Sequence, residues 1–327
     1  MRQIYGRNVN ETLYLGVQML KDCGIHWPSR NGDMLEVPGP VSTHIWRPQE
    51  RVLFSPKRDA NPFFHLAESL WLLSGKRDVK WISQFNPRMK DYSDDGKVFN
   101  ASYGHRWRFY FGYDQIQTII DLLRKDPFSR RAVLGMWNPH EDLKNQTSKD
   151  LPCNTQIFFS IRGGYLNMTV VNRSNDMLFG LYGANVVHMS MLQEYVAGML
   201  GVGIGSYYTM SNSLHVYPEF EVTPRSMEIS ECDDPYARGE VTSYPLFDYG
   251  KNPEAWNLDL ALFFEDPYTV GYTHSYWHRV IKPMWALWKE WKGKRNPGTI
   301  QEILLQMPAG NDWRRAASEW LARRISK

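Results

Sequence analysis

Apolar residues recur every three or four positions in NETLYLGVQMLKDCG (10–24), which predicts a helix capped by Asn10 and stopped by Gly24. NPFFHLAESLWLLSG (61–75) predicts a second helix, apolar on nearly every side and therefore buried, ending at Gly75. One acid interrupts it. With Leu66, Ala67, Leu70 and Trp71 beside it, Glu68 has little polar face on which to reach water. DQIQTIIDLLRKDPFSRR (114–131) predicts a third helix, broken by Pro127. Alternation with a period of two then takes over. RAVLGMWN (131–138), TQIFFSIR (155–162) and YLNMTVV (165–171) are predicted strands, the last two joined through Gly163–Gly164 as a hairpin. NVVHMSMLQEYVAGMLG (185–201) reads as a long apolar helix and GIGSYYTMSNSLHVY (203–217) as one further strand. After Pro218 come Pro-, Gly-, acid- and Trp-rich stretches, then helices such as SYWHRVIKPMWALWKEW (275–291) and NDWRRAASEWLARRISK (311–327). Helices and antiparallel strands in this order give an α+β class, without internal repeats.

Composition excludes several functions. With 43% hydrophobic and 14% aromatic residues, the 327-residue chain can bury a substantial core. A net charge of +3 without long Lys/Arg runs argues against direct nucleic-acid binding. Three cysteines (Cys23, Cys153, Cys232) without a CxxC pair argue against a disulfide framework or a zinc site; no metal is expected. No stretch approaches the roughly 20 apolar residues of a membrane span, and the first 20 residues lack a signal peptide's unbroken apolar segment. A cytoplasmic protein without membrane attachment is the expectation.

Candidate chemistry centres on Cys153, placed after a proline and before an alternating apolar run. Arginines recur at element ends: Arg30, Arg130, Arg131 and Arg173. The pair in SRR suits a helix C-terminus, where cations complement the dipole. Several guanidiniums beside one cysteine instead suit a phosphomonoester, gripped by forked hydrogen bonds. Their field would also lower the thiol pKa and sharpen a nucleophile. A buried, inert thiol stays open on the cysteine alone.

Taken together, the blocks resemble the thymidylate synthase superfamily, which includes the pyrimidine nucleotide 5-hydroxymethylases. PSRNGD, HLAESLWLLSG, ASYGHRWR, DQIQTIIDLLRKDPFSRRAVLGMWNP, LPCNTQIFF, NRSNDMLFGL and SLHVY are similar to the family's blocks, in order, over about Arg30 to Tyr217. The resemblance implies a thymidylate synthase-like α+β fold, mostly antiparallel sheet packed with helices. A thymidylate synthase-like catalytic domain over 1–245 is expected, with a helical C-terminal extension over 246–327 packed on it. The resemblance gives Cys153 the nucleophile's role at C6 of a pyrimidine nucleotide, with 5,10-methylenetetrahydrofolate as one-carbon donor. Arg30, Arg173 and Ser174 map to phosphate ligands. Arg130 and Arg131 map to ligands reaching across from the partner subunit, which makes a homodimer the expected unit. Glu68 maps to the proton-relaying carboxylate, Tyr103 to an active-site phenol, and His215 and Tyr217 to the ribose-binding pair. Asp176 and Gly180 map to the folate side, and Asn185 to the base-reading asparagine if LYGAN holds one extra residue.

Departures from the family pattern choose among its members. Synthases carry tryptophans before the Tyr-Gly block and end soon after the core with a short apolar tail. Here the first segment reads NPRMKDYSDDGKVFNAS, offering Met89, Lys90 and Tyr92, and the chain continues into a long Trp- and Arg-rich extension. Both changes weaken a dry, closed site and favour hydroxymethylation over reductive methylation. The base leans to cytosine, because Asn154 stands where synthases place a histidine; Arg131 and Ser174 keep the pattern of deoxynucleotide enzymes and so imply a 2′-deoxy sugar. dUMP or CMP hydroxymethylation, a true synthase reaction and a non-catalytic nucleotide-binding relative are the alternatives.

Overall fold

The computed structural model describes residues 1–325. Strand β1 (Arg2–Gly6) leads into α1 (Val9–Cys23), hairpin β2 (Ile25–Ser29) and β3 (Gly32–Val37), and strand β4 (Val41–Ile45). Then come α2 (Pro62–Leu73), α3 (Val79–Ser83), α4 (Tyr103–Arg108), α5 (Gln115–Lys125) and β5 (Val133–Gly135). Next are β6 (Asn154–Arg162), β7 (Tyr165–Asn172) and β8 (Asn175–Asp176). A wide helical segment, Met177–Asn185, runs into α6 (Val186–Leu200), followed by β9 (Gly203–Ser211) and β10 (Leu214–Val216). The remaining helices are α7 (Val222–Met227), α8 (Ala255–Glu265), α9 (Lys282–Lys292), α10 (Pro297–Leu305) and α11 (Asp312–Ile325). The last two positions of the helix expected over 311–327 lie outside the described residues.

One sheet has the order β1-β4-β9-β7-β6-β5 and the other β2-β3-β10-β8. Antiparallel pairings form the majority, and β1–β4, β7–β9 and β8–β10 are parallel, so both sheets are mixed. The single strand expected over 203–217 is therefore two. A break after Ser211 carries the chain from the first sheet to the second, where His215 pairs with Asp176. The β6–β7 hairpin turns at Gly163 and Gly164, with φ of 58° and 82° that side chains with a Cβ resist.

Capping explains the helix starts that matter. Asn61 accepts from the amides of Phe63 and Phe64 at 3.0 and 3.1 Å, and Pro62 takes the first turn of α2. In α1 the cap is Asn8, not Asn10. Asn10 is used elsewhere, donating to the Val52 carbonyl and accepting from the Phe54 amide. A single core runs from Ile4 to Leu321, with α2 and α6 packed together inside it. Each aliphatic side chain fully buried there contributes roughly 1.5–3 kcal/mol. No helix among the described residues is long and apolar enough to cross a membrane.

Candidate active site

Cys153 precedes β6 and Arg173 follows β7, and because Asn154 pairs with Asn172 the two meet at one end of the first sheet. The Arg173 amide donates to the Cys153 carbonyl at 2.9 Å. Its guanidinium is tied to the carbonyls of Pro152 and Leu151 and lies over the Trp137 ring, while Ser174 follows it in the chain. Arg30, at the tip of the β2–β3 hairpin, donates to the Ser148 carbonyl at 2.9 Å. Two of the expected phosphate-binding arginines thus converge on the cysteine loop from different sheets. Burial pushes the Cys153 thiol up; Arg173 and Arg30 pull it down, and Asp176 adds to the rise. The net direction is upward. The arginines act in the expected direction, but in the free chain desolvation outweighs their field.

A cleft of about 260 Å³ opens beside the sulfur. Helix α2 lines it with Glu68, Trp71 and Leu72, residues three and four apart that share a face. Beside them the lining continues with Ala184, Asn185 and His188, around the start of α6. A non-helical break at Gly183 turns the 177–185 segment into α6 and so delivers these residues. Asp150 and Cys153 come from the loop before β6, and Met89 and Tyr92 from the segment where synthases have tryptophans. Lys90, expected there too, is exposed and does not line the cleft.

Glu68 is only 8% exposed, so it does not occupy a solvated stripe of α2. Tyr103 opens α4, and burial followed by the charges of Cys153 and Glu68 pushes its phenol well above the usual tyrosine range. The phenol therefore stays protonated, with the charges of Cys153 and Glu68 acting on it. Its neighbour Gly104 lets α4 touch α2: a Cβ there would stand 1.9 Å from the Leu72 carbonyl oxygen. Asp150 accepts from the amides of Asn100 and Ala101, steering the chain into Tyr103; burial raises its carboxyl to about 6.

The second sheet carries further candidates, which do not line the cleft itself. Asp176 caps the 177–185 segment through the amides of Leu178 and Phe179 at 2.8 and 2.7 Å; burial pushes its carboxyl up. Arg58 braces the same segment, donating to the Leu178 carbonyl at 2.7 Å; desolvation holds its guanidinium near 10. His215 is buried against Ser213 and edge-on to Tyr217, whose hydroxyl accepts from Asn31. Burial lowers the His215 imidazole although Asp176 opposes it.

Arg130 and Arg131, expected to reach toward a partner subunit, are exposed and lie off this cleft; α5 ends at Lys125, so they do not cap that helix. Gly180 sits against the amides of Asn175 and Asn185, which hydrogen-bond at 3.3 Å. Asn154 turns into the sheet, where its amide donates to Asn172 at 2.6 Å. Sequence reasoning missed His188, Asp150, Asn175 and Arg58. For His188 a signal existed: it is the only basic residue in α6, as Glu68 is the only acid in α2. A larger cavity of about 420 Å³ lies elsewhere, beside Cys232, and gathers none of the candidate residues. Among the described residues no three His, Cys, Asp or Glu side chains are grouped to hold a metal.

The family model described as Thymidylate synthase matches residues 57–237, more than half of the chain. The chain belongs to the thymidylate synthase family. A relative, the deoxyuridylate hydroxymethyltransferase of Pseudomonas phage M6, is 43% identical over 99% of this chain and 95% of its own. The deoxyuridylate hydroxymethyltransferase of Bacillus phage SP01 is 40% identical over 58% of this chain and 54% of its own. A thymidylate synthase of Symbiobacterium thermophilum is 29% identical over 64% of this chain and 73% of its own. As a member of the thymidylate synthase family, the protein is an enzyme of one-carbon transfer with an α+β fold.

Proposed function

We propose that the enzyme converts a pyrimidine deoxynucleoside 5′-monophosphate, dUMP in the first instance, to its 5-hydroxymethyl derivative. The observation that carries this is the combination of the Cys153–Tyr103–Glu68 cleft with a full-length likeness to a phage deoxyuridylate hydroxymethyltransferase. Asn154, the ground for a cytosine preference, does not face the cleft, and without it the relatives' uracil substrate is the better-supported base.

The residues take the following parts. Arg30, Arg173 and Ser174 hold the phosphate, His215 and Tyr217 the sugar, and Asn185 the base edge. The Cys153 thiolate adds to C6, which makes C5 nucleophilic. A dianion seated on Arg30 and Arg173 fixes that pyrimidine against the sulfur, so orientation does much of the work. Tyr103 donates toward the reacting ring and Glu68 moves protons. The residues also suit a folate: Trp71, Leu72, Met89 and Phe99 give the cleft apolar cover, and Asp176, which caps the segment leading to Asn185, is the carboxylate for a pterin's donors. Bound 5,10-methylenetetrahydrofolate would supply the one-carbon unit. The polar border and the exposed Tyr92 leave water a path to the product-forming carbon.

The functional unit is a homodimer. The first sheet's outer face carries Tyr5, Phe158, Tyr208 and Met210 exposed, an apolar surface suited to a second copy. Arg130 and Arg131 adjoin β5 at the edge of that sheet and complete the partner's phosphate site. Mass analysis after incubation with methylenetetrahydrofolate and equal dUMP and dCMP tests the substrate. Predominant 5-hydroxymethyl-dUMP is expected; predominant modified dCMP would restore the cytosine reading.

A further inference from the structure

Two packed helices meet at the edge of the cleft, at Glu68 and His188. On α6, His188 stands one turn after Asn185; on α2, Glu68 stands one turn before Trp71 and Leu72. His188 Nε2 lies 3.0 Å from Glu68 Oε2, and the residues are 4% and 8% exposed. The approach is off-line: neither His188 nitrogen, nor Glu68 Oε2, makes an aligned hydrogen bond within the chain. Leaving buried polar atoms in that state costs about 1–3 kcal/mol each. A fold keeps such atoms where a ligand or water completes them. Both side chains border the cleft that holds Cys153, Tyr103 and Asn185. The residues next to His188 in the first turns of α6, Val186, Val187, Met189 and Met191, are buried and apolar, so their packing does not call for a histidine.

We propose that His188 and Glu68 form the proton-accepting pair for the water that adds to the exocyclic methylene carbon, and that His188 commits this site to hydration. The inference rests on the hydroxymethylase reading. In that step the water oxygen bonds to the methylene carbon, and the exocyclic double bond's electron pair re-forms C5=C6 inside the ring. The C6–sulfur bond breaks and Cys153 leaves as thiolate. The water's proton passes to the pair and from there to sulfur or solvent. Nothing is oxidised or reduced, so no further reactant is required.

The step runs backwards without folate, which isolates it. In oxygen-18 water, wild type should exchange the hydroxyl oxygen of 5-hydroxymethyl-dUMP, and in a separate assay should release tritium from C5 of dUMP. His188→Gln keeps a donor near the place of Nε2 but cannot carry a proton. It should lose about 10²-fold or more in kcat for oxygen exchange, with nucleotide KM unchanged and tritium release within about threefold of wild type. His188→Asn, read the same way and checked for nucleotide binding, guards against a folding defect in one variant. Oxygen exchange at the wild-type rate in both variants overturns the inference, as does an equal fall of both activities. A wild type that releases tritium but exchanges no oxygen overturns the hydroxymethylase reading, and this inference with it.

Discussion

Helix α2 has two faces buried in different ways. Toward α9 and α11 it presents Phe63, Leu66, Ala67 and Leu70, met by Trp285, Trp288 and Trp320. There Phe63 lies 5.5 Å from both Trp288 and Trp320, Phe85 stacks on Trp288, and Arg324 sits 3.7 Å over the Trp320 ring. The charges at that end are matched, with Arg323 and Arg324 both on Asp59 at 3.0 and 2.7 Å. Toward the cleft, the same helix presents Glu68 to His188 with polar atoms left unmatched. One face is finished by packing, and the other is held ready for a ligand. The first should govern stability and the second turnover.

The largest effect expected is on the cleft side. Cys153→Ala should remove turnover by about 10⁴-fold or more, and Glu68→Gln by about 10²–10⁴-fold, with melting temperatures equal to or above wild type. Steady-state kinetics with calorimetry checks both. A cleft variant that unfolds the protein while its folded fraction stays active would break the division.

Next comes the packed face. Trp288→Ala should cost about 3–5 kcal/mol by denaturant melting, with turnover per folded molecule unchanged. A fall in kcat larger than the fall in folded fraction would mean that the two faces are coupled through α2.

The smallest effect belongs to the ion cluster. Burial works against ionising Asp59, but Arg324 and Arg323 together hold its carboxyl below the ordinary value. A depressed carboxylate stabilises the fold above its unfolded pKa and loses that contribution as pH falls through the folded pKa. Arg323→Ala/Arg324→Ala should therefore cost about 1 kcal/mol at neutral pH, less in high salt. The difference from wild type should fade as pH drops below the ordinary range for aspartate. A difference that persists in acid would assign the cost to lost stacking on Trp320.

Much of this was legible from sequence, for local reasons. Asn61, Pro62 and the largely apolar run announce α2, and Gly163–Gly164 announces the β6–β7 hairpin, because caps and tight turns are written in adjacent residues. The odd acid in α2 pointed to Glu68. The strands β1 to β4 escaped notice because they are short and partly exposed, and gain their order from pairing with the distant β9 and β10. The break that sends His215 to the second sheet is a tertiary event without a Gly or Pro to mark it. His188 hid in an apolar helix since its meaning appears only when α6 faces α2. The raised Cys153 thiol shows the same limit: charges can be counted along a chain, but burial cannot.

The central claim is that this cleft delivers water, not hydride, to the one-carbon unit, and one labelling experiment tests it directly. Wild-type enzyme, dUMP and methylenetetrahydrofolate are combined in oxygen-18 water, and nucleotide and folate products are identified by mass. The account predicts 5-hydroxymethyl-dUMP carrying the heavy oxygen, with tetrahydrofolate as co-product. A 5-methyl nucleotide with stoichiometric dihydrofolate would contradict it.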